Sequence, residues 1–482
     1  CRNLTRIMPA YAIASGHTET SHAAAEILNQ GGNAYDAVLA ALLMSFVAEP
    51  LLSSPGGGGF MLAGQIEQHP KAFNFFPQTP LVNPIDLDPR SLDFYPIHGD
   101  FGDRHQEFHI GADATAVPTV VAGIYTIHKQ LASLPLNKLA QPAIKAARRG
   151  ITVNTQQAFV AQILHPITGN NDTANHFFGN MKEGSVWKNE QLADFIDTLS
   201  KQDHDWFYQG EIAQKISQNS LLSMSDFENV STTVSDALHL KFKGHDIYTA
   251  PAPSSGGEVI IKQLLASKSL GNNTENHNLI RLQSMQQSMK QTEQQRQAAE
   301  VTRGTSHISV TDAQGNLASL TLSNGEGNGV VLSEHGFMLN NFLGEEDLNP
   351  NGFFKWKTGD PLRSMMAPSL INNQFRMALG SGGSNRIKTT LFQVIDRLCH
   401  GETLKNAISA PRCHYEKGHL DIEHGFNPTD IAMLKKQCPN HLEFKQPSLY
   451  FGGVNAAQSG EQTLGYADFR RHGCGITGTS HR

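Results

Sequence analysis

Residues 305–323, "TSHISVTDAQGNLASLTLS", alternate on both sides of a turn-forming "DAQGN" at 312–316, the pattern of a β-hairpin whose two faces differ. A three-residue loop at 313–315 pairs Asp312 with Asn316. The same register sets Thr305 opposite Ser323, His307 opposite Thr321 and Ser309 opposite Ser319, all on one polar face. The other face collects Ile308, Val310, Ala318, Leu320 and Leu322. A slip of one residue would mix the two sets, so the pattern itself fixes the register.

A row of hydroxyls along a strand is ordinary sheet chemistry, because Thr and Ser favour strands and bond across them. The setting of Thr305 opens a second reading. It heads its strand directly behind Gly304 and a glutamine-rich polar stretch, "QSMQQSMKQTEQQRQAAEVTRG" at 283–304, which reads as an exposed helix or connector and is the best boundary in the chain. A cut between Gly304 and Thr305 would leave a threonine carrying both a nucleophile and a base. Its α-amine, with an ordinary pKa of about 7.7 to 8.0, accepts the hydroxyl proton near neutral pH, which an internal amide cannot do. His307, two residues on, is either a support for such a site or a hydrogen-bonded structural residue.

The composition excludes other classes. The 482 residues carry a formal net charge of -6 with 39% apolar and 17% charged residues, a globular composition without the basic excess that recruits nucleic acid. Cys1, Cys399, Cys413, Cys438 and Cys474 are widely spaced with no CxxC pair, so neither zinc nor a dense disulfide framework is indicated, and one bridge near the C-terminus stays open. The run "AVLAALLMSFVA" at 37–48 is too short to cross a bilayer and reads as a buried helix. A chain that opens on Cys1 looks processed, although "CRNLTRIMPAYAIAS" has no signal-peptide apolar core. The compartment, periplasmic, extracellular or cytoplasmic, stays open.

Helical patterns are expected at 18–30, from 33 to 48, and at 118–131, 136–149, 155–165, 190–200 and 210–220. The segment 65–115, rich in Pro, Phe, Asp and His, reads as irregular surface loops. Strands dominate after 304, at 305–312, 317–323, 336–341, 367–372 and 375–379, before a helix at 385–400. The four glycines at 56–59 lack the Lys-Ser/Thr of a phosphate loop and read as close backbone packing. His414, His419 and His424, five apart, match no metal signature and read as surface residues.

The order of several blocks resembles the γ-glutamyltranspeptidase (glutathione hydrolase) family of N-terminal nucleophile hydrolases. They are "ASGHTETSHAAAEILNQGGNAYDAVLAALLMSFVAEP" (14–50), "SSPGGGGFML" (53–62), "APAPSSGG" (250–257), "TSHISVTDAQGN" (305–316), "GFMLNN" (336–341), "MMAPSL" (365–370) and "GSGGSNRI" (380–387). The resemblance implies an α+β fold, a four-layer αββα sandwich, and a proenzyme that cuts itself between Gly304 and Thr305. A large part, 1–304, and a small part, 305–482, would stay together in one structural domain as a heterodimer. Thr305 would then attack the γ-glutamyl amide of a small-molecule substrate and pass the acyl group to water or an amine, with no cofactor and no metal. Ser323 falls where the family has a second threonine bonded to the nucleophile. Gly383 and Ser384 fall on the glycine pair whose backbone N–H groups form the oxyanion hole, a role that a side chain at 384 need not disturb.

The substrate-reading positions depart from the family. Phe76 stands for the arginine that grips the α-carboxylate. Gly325, Phe342 and Glu345 correspond to the asparagine, glutamine and aspartate that bind the α-amine, and Arg363 and Ser364 stand for a serine pair. Arg363 either replaces the lost arginine or pairs with Glu345, Glu346 or Asp347. Two phenylalanines at specificity positions point to a less polar substrate end or to packing. Three functions follow as expectations: a γ-glutamyltransferase or hydrolase, a divergent amidohydrolase for a small non-glutamyl amide, and an uncleaved binding paralogue.

Overall fold

The computed structural model describes residues 10–100, 105–271, 276–293, 304–349, 351–372 and 374–479. Two antiparallel sheets form its centre. The first runs in the order Cys474–Thr479, Ala10–Ser15, Ser306–Thr311, Leu317–Ser323, Gly58–Gly64, Lys71–Phe75 and Thr233–Asp236. The second runs Leu464–Ala467, Gly453–Gly460, Phe375–Gly382, Ser369–Asn372, His245–Thr249 and Leu238–Phe242. Both sheets mix strands from either side of residue 304. The strand Ser306–Thr311 packs across the gap against Phe375–Gly382 and Gly453–Gly460. Helices Thr18–Asn29 and Ala34–Ala48 cover the outer face of the first sheet, and Ser255–Leu270 and Ile387–Cys399 lie outside the second. The result is the αββα arrangement.

The hairpin has the expected register: His307 pairs with Thr321, Ser309 with Ser319, and Val310 with Ala318. Its apolar face meets the helix Ala34–Ala48, every residue of which is buried, as an all-round apolar helix requires. That helix starts on a capping box between Asn33 and Asp36. The polar face is buried as well, because it looks into the gap between the sheets. There Ser309 Oγ donates to the carbonyl of Asn455 at 3.1 Å and Ser319 Oγ to that of Leu379 at 2.8 Å. Each hydroxyl thus tethers one sheet to the other, which offsets the desolvation that burial imposes on it.

Four expectations change. The segment 65–115 is not all irregular: Lys71–Phe75 is a strand of the first sheet, and Tyr95–Asp100 pairs with His105–Ile110. Its prolines and mixed polarity hide the alternation that marks a strand. Residues 283–293 belong to a packed helix, His277–Glu293, rather than to an exposed connector. Met285 and Met289 are buried, and Arg281 pairs with Asp396 at 2.8 Å. Residues 294–303, the rest of the expected connector, lie outside the described residues. His414 is buried, its Nδ1 bonded to Thr389 Oγ1 at 2.8 Å and its Nε2 3.2 Å from Glu416; a strand facing a helix, not solvent, holds it. Cys399, Cys413, Cys438 and Cys474 are free thiols, so the bridge left open near the C-terminus is not formed among them. No described helix is long and apolar enough to cross a membrane.

Candidate active site

The start of the strand Ser306–Thr311 lies in the middle of the first sheet, where the end of Phe375–Gly382 from the second sheet meets it. A Cβ added to Gly382 would lie 2.3 Å from the carbonyl oxygen of Thr305. Only glycine permits that approach. On the other side, a Cβ on Gly57 would lie 2.2 Å from the Ser323 carbonyl oxygen, so the glycine run at 56–59 packs backbone against backbone beside the site, as its sequence suggested. Thr305 itself is 5% exposed.

Ser323 reaches Thr305 through the peptide that precedes it. Its hydroxyl donates to the Gly304 carbonyl at 2.5 Å and accepts from the Gly325 N–H at 2.9 Å. The carbonyl so held belongs to the Gly304–Thr305 bond. Gly325 has φ +63°, and a Cβ there would lie 2.0 Å from Asn341 Oδ1 and 2.3 Å from Glu345 Oε1. Gly325 is therefore a turn residue that orients Ser323 through its N–H, and its position has no room for a side chain.

Two cavities meet at Thr305, the one described residue that lines both. The smaller, about 20 Å³, is walled by Phe76, Phe342, Glu345, Ser364, Met366 and Ser384. Phe76 and Phe342 pack ring to ring at 4.9 Å. Glu345 is 2% exposed, and Ser384 Oγ is buried with no hydrogen-bond partner among the described residues. Ser384 has φ +54° and follows Gly383 at φ +123°, two positive-φ residues that turn the chain sharply just past the strand. Arg363 is exposed and is not among the residues lining this cavity. No lysine or arginine is found among the described residues that wall it.

The larger cavity, about 80 Å³, has apolar walls from Leu51, Leu52, Val160, Ile163 and Leu164. Glu49 and Arg471 also line it. Glu49 accepts from the Ser306 hydroxyl at 2.9 Å, and burial raises its carboxyl to about 7, against the pull of that bond and of Arg471. His307 bonds Thr321 and Ser309, each at 2.8 Å, and burial pushes its imidazole down to about 3. It is a neutral structural residue between the sheets, not a proton carrier. Glu49, Glu326 and Arg471 escaped the sequence reading. A carboxylate that closes a wholly apolar helix, and another set among glycines in "NGEGNG" just past Ser323, were the available signals.

This geometry has relatives. The sequence profile of the family Gamma-glutamyltranspeptidase matches residues 20–299 and 261–477. The chain belongs to the gamma-glutamyltranspeptidase family. It is thereby an amidohydrolase or transpeptidase of the N-terminal nucleophile type, and a divergent one. The Capsule biosynthesis protein CapD proenzyme of Bacillus anthracis is 26% identical over 506 residues, covering 96% of this chain and 90% of that protein. The Glutathione hydrolase proenzyme of Pseudomonas aeruginosa is 26% identical over 473 residues, covering 84% and 83%. Among solved structures, a cephalosporin acylase from Bacillus halodurans superimposes with a TM-score of 0.82 over 97% of this chain and 96% of that one. At 19% identity that likeness speaks to fold alone. The family thus carries the reaction class.

Proposed function

We propose that this chain cuts itself between Gly304 and Thr305 and that Thr305 then takes the acyl group of a γ-glutamyl or related amide, releasing it to water or to an acceptor amine. The observation that carries the reading is the Ser323 hydroxyl on the Gly304 carbonyl at 2.5 Å, at the point where the two cavities meet. A donor there polarises the carbonyl that Thr305 Oγ attacks and supports the charge that develops on its oxygen. Once the bond is cut, the α-amine of Thr305 serves as the base for its own hydroxyl. The N–H groups of Gly383 and Ser384 are the proposed oxyanion donors for the substrate. The compact cavity with Glu345 and Ser364 receives the acyl head, and the apolar cavity receives the amine portion. The parts 1–304 and 305–482 remain together as the two chains of the mature enzyme.

A second reading has an observation of its own. The compact cavity presents Phe76 and Phe342 and lacks a guanidinium, with Arg363 turned out to solvent. A glutamyl α-carboxylate would find Ser364 there but no cation, which favours an amide whose acyl group bears no carboxylate. A panel of γ-glutamyl amides and simple acid amides decides between the two, with wild type compared against Thr305→Ala and Arg363→Ala. The γ-glutamyl reading predicts turnover of the γ-glutamyl compounds at least about tenfold faster, the loss expected when a built polar contact goes unmade. Equal or better turnover of amides lacking the α-amino acid head would replace it with the second reading. Thr305→Ala is expected to lose cutting and turnover together; residual turnover at the wild-type rate would remove the nucleophile assignment.

A further inference from the structure

Gly304 is held at both ends, and by different groups. Its carbonyl accepts from Ser323, while its N–H donates to Glu326 Oε1 at 3.1 Å. The two bonds act on two different peptide planes: the carbonyl belongs to the Gly304–Thr305 bond, and the N–H to the peptide before it. Fixing both planes fixes φ and ψ of Gly304, which as a glycine has no Cβ of its own to restrict them. The packing agrees, because a Cβ on Gly304 would lie 2.7 Å from the Gly325 carbonyl oxygen and 2.9 Å from Leu52 Cδ2.

Glu326 is well placed for this. It is 2% exposed, and its own N–H donates to Asn341 Oδ1 at 3.0 Å. It stands between Gly325 at φ +63° and Gly327 at φ +82°, in a tight turn directly after the strand that carries Ser323. One turn therefore aims both the Ser323 hydroxyl and the Glu326 carboxylate at the same glycine.

We propose that Glu326 is a positioning residue for the cut before Thr305, an inference that rests on reading Thr305 as the self-cleaving nucleophile. In that step Thr305 Oγ adds to the Gly304 carbonyl carbon and the C–N bond to Thr305 breaks. The hydroxyl proton passes to the departing nitrogen, leaving an ester and a free α-amine. Water then splits the ester into the Gly304 carboxylate and the Thr305 hydroxyl, so the net change is the addition of one water. The rate of such an internal shift depends steeply on how narrowly the two reacting atoms are oriented. Glu326 supplies the half of that orientation that Ser323 does not.

The test follows the 482-residue chain over time, measuring the rate at which the 52.6 kDa band gives two fragments, for wild type, Glu326→Gln and Glu326→Leu, alongside the melting temperature of each. Gln keeps an oxygen that accepts the Gly304 N–H; Leu does not. The expected result is cutting by Leu about tenfold or more slower than wild type, with Gln restoring most of the rate at a similar melting temperature. Cutting by Leu at the wild-type rate overturns the proposal. Equal slowing in both variants together with a lowered melting temperature also overturns it, since that marks a merely structural carboxylate. A wild-type chain that never cuts at 304–305 would overturn both this proposal and the nucleophile reading beneath it, whereas a cutting wild type with an indifferent Glu326→Leu removes the proposal alone.

Discussion

At the scale of single residues, the hairpin register that sets His307 against Thr321 and Ser309 against Ser319 was legible because such a register is a local property: turn chemistry and alternation suffice to set it. Arg363 was not legible. It sits next to Ser364 in sequence, yet Ser364 faces the compact cavity and Arg363 faces solvent, as neighbours in an extended segment do. Ser323→Ala removes the donor on the Gly304 carbonyl and is expected to slow self-cutting by about tenfold or more, with Ser323→Thr retaining it; a gel time course checks both. Glu49 gives a pH signature. Its folded-state carboxyl titrates near 7 against an ordinary 4.5, so the stability that goes with its protonated form is complete below the ordinary value and is lost as pH rises through 7. Glu49→Gln is expected to melt above wild type at pH 8 and to lose that advantage at pH 5. No difference between the two pH values would show that Glu49 is solvated as an ordinary carboxylate.

Secondary-structure elements were legible where their period was strong. The helix Ala34–Ala48 and the strands Ser306–Thr311, Leu317–Ser323, Ser369–Asn372 and Phe375–Gly382 were expected, and they form; the strand expected at 336–341 shrinks to Phe337–Met338, and Gly453–Gly460, Leu464–Ala467 and Cys474–Thr479 were not expected. The helix His277–Glu293 was missed as a packed element because its buried side is built from Ile280, Ser284, Met285, Ser288 and Met289, with Arg281 buried by pairing. Serines and a charged residue on the inner face erase the apolar stripe on which pattern reading depends. Breaking that buried pair with Arg281→Met leaves the buried Asp396 carboxylate with only Ser267 and His400 beside it among the described residues and is expected to lower the free energy of unfolding by about 3–5 kcal/mol, read by chemical denaturation; a loss below about 1 kcal/mol would mean that the helix is not held through this contact. The strand Gly58–Gly64 makes a second test. Gly57, just before it, has no space for a Cβ against Ser323, so Gly57→Ala is expected to cost about 1–3 kcal/mol through overpacking and to slow self-cutting by displacing Ser323.

For the whole molecule, the four layers could be expected from family resemblance but not from composition, because the order of strands in a sheet is set by contacts far apart in sequence. Ala10–Ser15 lies between Cys474–Thr479 and Ser306–Thr311, so the first sheet joins the beginning, middle and end of the chain. A cut before Thr305 thus leaves strands of both fragments bonded side by side, and the fragments should co-elute under native conditions. The central claim is that Thr305 is made into an N-terminus and then acts as the nucleophile. Its most direct test is the mass and N-terminal sequence of the purified wild-type protein beside Thr305→Ala. Wild type is expected to give a small fragment that begins Thr305-Ser306-His307, and the variant an intact 52.6 kDa chain. An intact wild-type chain after prolonged incubation, or a fragment beginning at any other residue, would contradict it.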